Sequence, residues 1–160
     1  LFIFVKWIWR WRVFHGWLVN TPVLHGTWRG QLQTTWPGSS SGQPPEPVET
    51  YMAIRQTFLS IHLTMYTRES VSLSDAATIC VDEDRGVRLL SYTYANVPSA
   101  EVRDRSQIHY GAARLRIITK PEQALEGEYW TDRMSSGHLE LTYVSRDIVE
   151  RFPGSTQQSQ

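Results

Sequence analysis

Apolar and polar residues alternate with a period of two along most of this chain, and no stretch sustains the 3.6-residue period of an amphipathic helix. The alternation runs through Leu24, Gly26, Trp28, Gly30 and Leu32, then Thr57, Leu59, Ile61, Leu63, Met65 and Thr67, then Leu90, Tyr92 and Tyr94. It resumes over His109, Gly111, Ala113, Leu115 and Ile117, over Leu125, Gly127, Tyr129, Thr131 and Arg133, and over Gly137, Leu139, Leu141 and Tyr143. A weaker strand, Ala77 to Val81, precedes the turn Asp82-Glu83-Asp84-Arg85-Gly86, and a Gly/Pro/Ser-rich loop from Trp36 to Pro47 interrupts the first strand pair. Strands punctuated by turn signals predict an antiparallel all-β domain. Small residues (Gly26, Gly30, Gly111, Ala113, Gly127, Gly137) alternate with large ones on the inward parity, which favours closure over a sandwich. The expected fold is a small closed up-and-down β-barrel of about eight strands, lipocalin-like or avidin-like, with room for one small ligand.

In such a barrel successive strands run in opposite directions, so alternate connections share an end. Laying out the strands this way gathers Thr67, Ser70, Tyr94, Asn96, His109, Arg133 and Ser135 at one rim, with Tyr92, Tyr129 and Thr131 one layer inside. Leu32, Ile117 and Leu125 fall at the opposite end as apolar plugs. Arg133 on an inward parity is explained by an anionic ligand such as a phosphate, or by an internal salt bridge to Glu69, Asp75 or Asp132, or by escape to solvent at the rim. Tyr92, Tyr94 and Tyr129 either pack the core with satisfied hydroxyls or stack on nucleobases. His109 alone reads as a core histidine; beside Arg133 and the tyrosines it reads as a hydrogen-bond donor to a base or phosphate.

Charge and motifs narrow the function. Lys plus Arg and Asp plus Glu are 16 each, so no overall field draws in a nucleic-acid polymer. The single cysteine, Cys80, excludes an internal disulfide and a cysteine zinc cluster, and a buried inert thiol is its expected state. The acidic run at Asp82 to Asp84 reads as a solvated hairpin tip, because a calcium loop needs more oxygen ligands in fixed order. Nucleophile-elbow, zinc-protease, phosphate-loop and paired-cysteine motifs are missing from the sequence, and the expectation is a binding protein, not an enzyme, with no cofactor.

The first stretch, LFIFVKWIWRWRVFHGWL, interleaves Trp7, Trp9, Trp11 and Trp17 with Lys6, Arg10 and Arg12. It is too short and too charged to span a bilayer, but its composition suits the membrane-water interface. Residues 1–20 are therefore expected to be a membrane-proximal segment carrying the end of a transmembrane helix, the alternative being aromatics packed on the barrel's outside. Residues 21–152 are the expected barrel, and 153–160 a disordered tail.

Several blocks together resemble a known family. They are Trp9-x-Trp11 with Gly16-Trp17-Leu18, Pro22-x-Leu24-x-Gly26-Thr27-Trp28-x-Gly30, Ile54-x-Gln56-Thr57 and Thr67-x-x-Ser70. Leu90-x-Tyr92-x-Tyr94-x-Asn96-x-Pro98, His109-x-Gly111 and Gly127-x-Tyr129-Trp130-Thr131-Asp132-Arg133-x-Ser135-x-Gly137 complete the set, the last block being the most specific. The chain resembles the CD-NTase-associated two-transmembrane β-barrel effectors of bacterial CBASS antiphage defence. The resemblance implies a barrel that faces the cytoplasm from the bacterial inner membrane, binds a cyclic dinucleotide, forms a homo-oligomer and lets its membrane helices disrupt that membrane. Laid on the matching motifs, the rim implies Thr67, Ser70, Tyr92, Tyr94, His109, Tyr129, Thr131, Arg133 and Ser135 as ligand-binding residues. Two rivals stand beside this reading: a lipocalin-like or avidin-like carrier of a small apolar or heterocyclic molecule, and a barrel that only scaffolds membrane-protein assembly.

Overall fold

The computed structural model describes residues 21–35 and 45–154; the expected membrane-proximal segment of residues 1–20 and residues 155–160 of the expected tail lie outside them. Eight antiparallel strands form one closed barrel in sequence order: β1 (Gly26–Thr34), β2 (Val48–Gln56), β3 (Ile61–Tyr66), β4 (Ser70–Asp82), β5 (Val87–Pro98), β6 (His109–Ile118), β7 (Ala124–Thr131) and β8 (Ser136–Ser145). Closure is made by β1 against β8, from Trp28 opposite Tyr143 to Thr34 opposite Gly137. With no free edge between first and last strand, the backbone groups of both find partners in the ring.

The interior follows the alternation. Trp28, Met52, Ile54, Leu90, Leu115, Leu125, Leu139 and Leu141 are buried and belong to one core. One end is corked. Leu24 is buried there, the Trp28 indole N–H donates to the Leu24 carbonyl at 2.9 Å, and Gln56 ties the same segment down by accepting from Leu24 N and donating to the Pro22 carbonyl. Trp28 packs edge-on against Tyr143, ring centroids 5.3 Å apart. Outside, Thr27 Oγ1 donates to the Asp147 carbonyl and accepts from Val149 N, which lays the segment after β8 along the wall until Phe152 meets Tyr51.

Three sequence expectations need correction. Val48–Gln56 is a strand in its own right, and Thr57 and Leu59 belong to the turn after it, not to β3. That extra strand reverses the sense of β1, so Leu32 pairs with Val48 near the open rim instead of plugging the far end. Ile117 and Leu125 do lie at the corked end, paired where β6 ends and β7 begins. Cys80 is exposed, not buried. The cause is an irregularity between Ser74 and Ala76 that shifts the β4 register, so that Ser72 faces in before it, Ala77 and Ile79 pack on the core after it, and Cys80 is turned outward.

Two glycines let tyrosines lie across the inner wall. A Cβ at Gly111 would sit 2.5 Å from Tyr94 Cζ and Oη and 2.7 Å from the Trp130 carbonyl oxygen, and one at Gly137 would sit 2.6 Å from Tyr129 Cε1. Each ring covers the glycine directly across the sheet, since Tyr94 pairs with Gly111 and Tyr129 with Gly137. Gly111→Ala should therefore overpack the wall and destabilise the barrel by about 1–3 kcal/mol, each kcal/mol lowering Tm by roughly 2–4 °C. Thermal melting checks this, and an unchanged Tm would contradict the close approach.

Candidate functional site

Opposite the cork, the barrel opens into a cavity of about 490 Å³, within the range of roughly 300–1,000 Å³ usual for small-molecule sites. Because the strands alternate in direction, the ends of β1, β3, β5 and β7 and the starts of β2, β4, β6 and β8 all meet at this mouth. The structure brings together there eight of the nine residues expected to bind: Thr67, Ser70, Tyr94, His109, Tyr129, Thr131, Arg133 and Ser135 all line the cavity. Tyr92 does not line it. It is buried one pleat below Tyr94 on β5, ring centroids 5.8 Å apart, and supports the floor from beneath.

The lining residues differ in what they leave available. Thr67 and Ser70 clamp the β3–β4 turn: Thr67 N donates to the Ser70 carbonyl, Ser70 N donates to Thr67 Oγ1, and the two hydroxyls lie 3.0 Å apart. Thr131 and Ser135 clamp the β7–β8 turn with hydroxyls 2.6 Å apart. The same Thr–Ser clamp closes the β2–β3 turn between Thr57 and Ser60, with hydroxyls 2.9 Å apart at the corked end and far from the cavity. Its recurrence there shows a turn-closing device, with Thr and Ser hydroxyls standing in for backbone turn bonds. Arg133 lies past the end of β7 in the turn, exposed at the lip, so the parity that seemed to aim it into the barrel stops short of it. Of the three acidic partners considered for it none is used, and among the described residues it makes no ion pair. The His109 ring is half-buried, and its Nδ1–H donates to the Gln107 carbonyl at 3.0 Å, which leaves Nε2 of the neutral ring as an acceptor.

Several lining residues were not anticipated. The segment Ser99–Ile108 between β5 and β6 leans over the mouth, where Val102, Arg105 and Ser106 join the lining. Glu69 in the β3–β4 turn holds it: its carbonyl accepts from Ser99 N at 2.7 Å and its carboxylate pairs with Arg105. The available signal was the charged string Glu101, Arg103, Asp104 and Arg105 in a connection already assigned to the rim. Ser72 on β4 was not anticipated either, and it forms a buried pair inside the mouth with Asn96 on β5, which was expected at the rim.

The floor is neutral. Burial pushes the Tyr92 hydroxyl far above the usual tyrosine range, with the nearby Tyr94 hydroxyl adding to it. Burial does the same to Tyr94, helped by Tyr129 and Asp132, and raises Tyr129 less because Thr34 hydrogen-bonds it. Uncharged aromatic faces of this kind can stack on a planar heterocycle, and an exposed guanidinium can pair with an anionic group. Folding favours the protonated tyrosines, so their contribution to stability is complete below about pH 10, the ordinary tyrosine value, and is lost as pH rises above it. Melting should weaken progressively above about pH 10, less steeply in Tyr92→Phe; phenolate absorbance from Tyr92 and Tyr94 at the free-tyrosine pH in the folded state would contradict their burial.

Residues 19–143 match the family described as Cap15, cyclic dinucleotide receptor domain, an extent that runs through all the strands but the last residues of β8. A CD-NTase-associated protein 15 from Staphylococcus schleiferi is 31% identical over 137 residues, covering 85% of this chain and 68% of that protein. Another from Escherichia albertii is 26% identical over 134 residues, covering 82% of this chain and 65% of that protein. On the extent of the family match and the level of identity, this chain belongs to the Cap15 cyclic dinucleotide receptor domain family.

Proposed function

We propose that the mouth of the barrel binds a cyclic dinucleotide and catalyses nothing, and that binding regulates a membrane-anchored antiphage effector of the CBASS type. The observation that carries this reading is a cavity open at one end, floored by the neutral rings of Tyr94 and Tyr129, with an arginine at its lip, Arg133, that makes no ion pair among the described residues. A cyclic dinucleotide offers flat bases for the rings and phosphates for the guanidinium. Family membership supports the same ligand class.

The orientation fits a receptor held at the bacterial inner membrane. Thr21 enters at the corked end, where Gln56 holds the neighbouring Pro22 and Leu24, so a segment before it leaves the mouth facing away, toward the cytoplasm. Among the described residues no helix is long and apolar enough to cross a membrane, and anchoring is assigned to the residues ahead of them. Ligand-driven homo-oligomerisation and membrane disruption complete the proposal. A strip of exposed apolar residues outside the mouth, Leu73, Tyr110, Trp130 and Met134, with Leu73 and Tyr110 aligned through Ala95 across β4, β5 and β6, supports self-association.

The test is thermal melting of the chain with a panel of 3′,3′ cyclic dinucleotides, with sedimentation velocity on the same samples. At a hundred times its Kd a ligand adds about 2.7 kcal/mol, which corresponds to a rise of roughly 5–11 °C. Arg133→Ala should weaken binding by about tenfold, the lower end for a charge-assisted bond because Arg133 is exposed. Trp130→Glu should keep the melting shift and lose any ligand-dependent increase in sedimentation. No shift with any member of the panel from a folded sample would overturn the receptor reading in favour of a carrier or a scaffold.

A further inference from the structure

A buried polar pair in the cavity wall, on neighbouring strands, owes nothing to turn closure. Ser72 on β4 and Asn96 on β5 face each other across the ladder, 4% and 8% exposed, and both line the mouth. The Ser72 hydroxyl donates to Asn96 Oδ1 at 2.8 Å. That bond turns the amide oxygen toward β4 and leaves the amide NH2 with no acceptor among the described residues. A buried donor without a protein partner is costly to leave unmet, and one that faces an open cavity is available to a ligand. Tyr94 lies one pleat deeper on the same face of the same strand, with its hydroxyl also unpartnered among the described residues. The inner part of the cavity therefore presents donors beside a flat ring, while the positive charge of Arg133 stays at the lip.

We propose that Asn96 is a specificity-determining residue that reads a nucleobase edge stacked near Tyr94, and that Ser72 is the positioning residue that holds its amide as a donor. This rests on the proposal that the cavity takes a cyclic dinucleotide. Reading adenine through paired bonds requires the amide oxygen to accept from the exocyclic amine while the nitrogen donates to the ring. Here one face of Oδ1 is already occupied by Ser72, and the side chain acts mainly as a donor. Its complement is a base edge that presents an oxo group, as guanine and uracil do, over an edge led by an exocyclic amine, as in adenine or cytosine.

Binding of cyclic dinucleotides carrying two guanines, two uracils, two adenines, or one adenine with one oxo base tests this by isothermal titration. The wild-type chain should bind best a ligand with at least one oxo base. Asn96→Asp keeps the shape and the acceptor for Ser72 but removes the donor, and should weaken that ligand at least tenfold, whereas Arg133→Ala weakens every member to a similar degree. Ser72→Ala retains the amide but frees it to turn, so discrimination between oxo and amino bases should fall several-fold with overall affinity largely kept. It decides the matter even where the aspartate variant fails to fold. Tightest binding of the two-adenine ligand, or an unchanged order of preference in Ser72→Ala, would overturn the role of Asn96 while leaving the receptor reading intact. A wild-type chain that binds none of them would remove the receptor reading itself.

Discussion

The pairing of β1 with β8 is the constraint on which the rest depends. Once the first and last strands share a ladder, every connection must fall at one of two ends, and the interior can open only at an end that is not filled. Leu24, Trp28 and Gln56 fill one of them through packing and hydrogen bonds among themselves. Polar residues that would be costly in a filled core consequently collect at the other end, where space and solvent are available. The separation of cork from mouth gives the barrel a polar cavity at one end, the candidate site, that local alternation alone would not place.

The wall of that site shows how few residues are free to recognise anything. Thr67, Ser70, Thr131 and Ser135 hold turns, Glu69 and Arg105 hold the segment that overhangs the mouth, and Tyr92 supports the floor from below. Among the described residues, those with groups left to offer include the faces of Tyr94 and Tyr129, the Asn96 NH2, Arg133 and Nε2 of His109. A rigid frame of clamped turns around a small set of unsatisfied groups is pre-organised, so a ligand would meet donors whose ordering is already done.

Much of this was legible in the sequence because period-two alternation fixes inward parity, and antiparallel order then fixes which turns share an end. That logic placed Tyr94, His109 and Tyr129 at one mouth from chains of residues more than thirty positions apart in places. It failed where the pleat was interrupted. The register shift between Ser74 and Ala76 hid the first half of β4 and sent Cys80 outward, and the ambiguous run around Gln56 to Ser60 concealed the boundary between β2 and β3, which misplaced Leu32. Inward parity ends at Thr131, so Arg133 reaches the expected rim from the turn and not from the strand, and Arg105 was not anticipated because irregular segments carry no parity to read. Two of the hydroxyl clamps were visible as Thr-x-x-Ser spacing and the third is one residue longer, but only geometry distinguishes a turn clamp from a ligand contact.

Recognition is proposed to happen inside the mouth. A crystal structure of the chain with its tightest-binding cyclic dinucleotide tests this most directly. The account predicts ligand density within the cavity, bases against Tyr94 and Tyr129 and a phosphate within hydrogen-bonding reach of Arg133. Density on the outer wall or at the corked end, with the mouth unchanged, would contradict it.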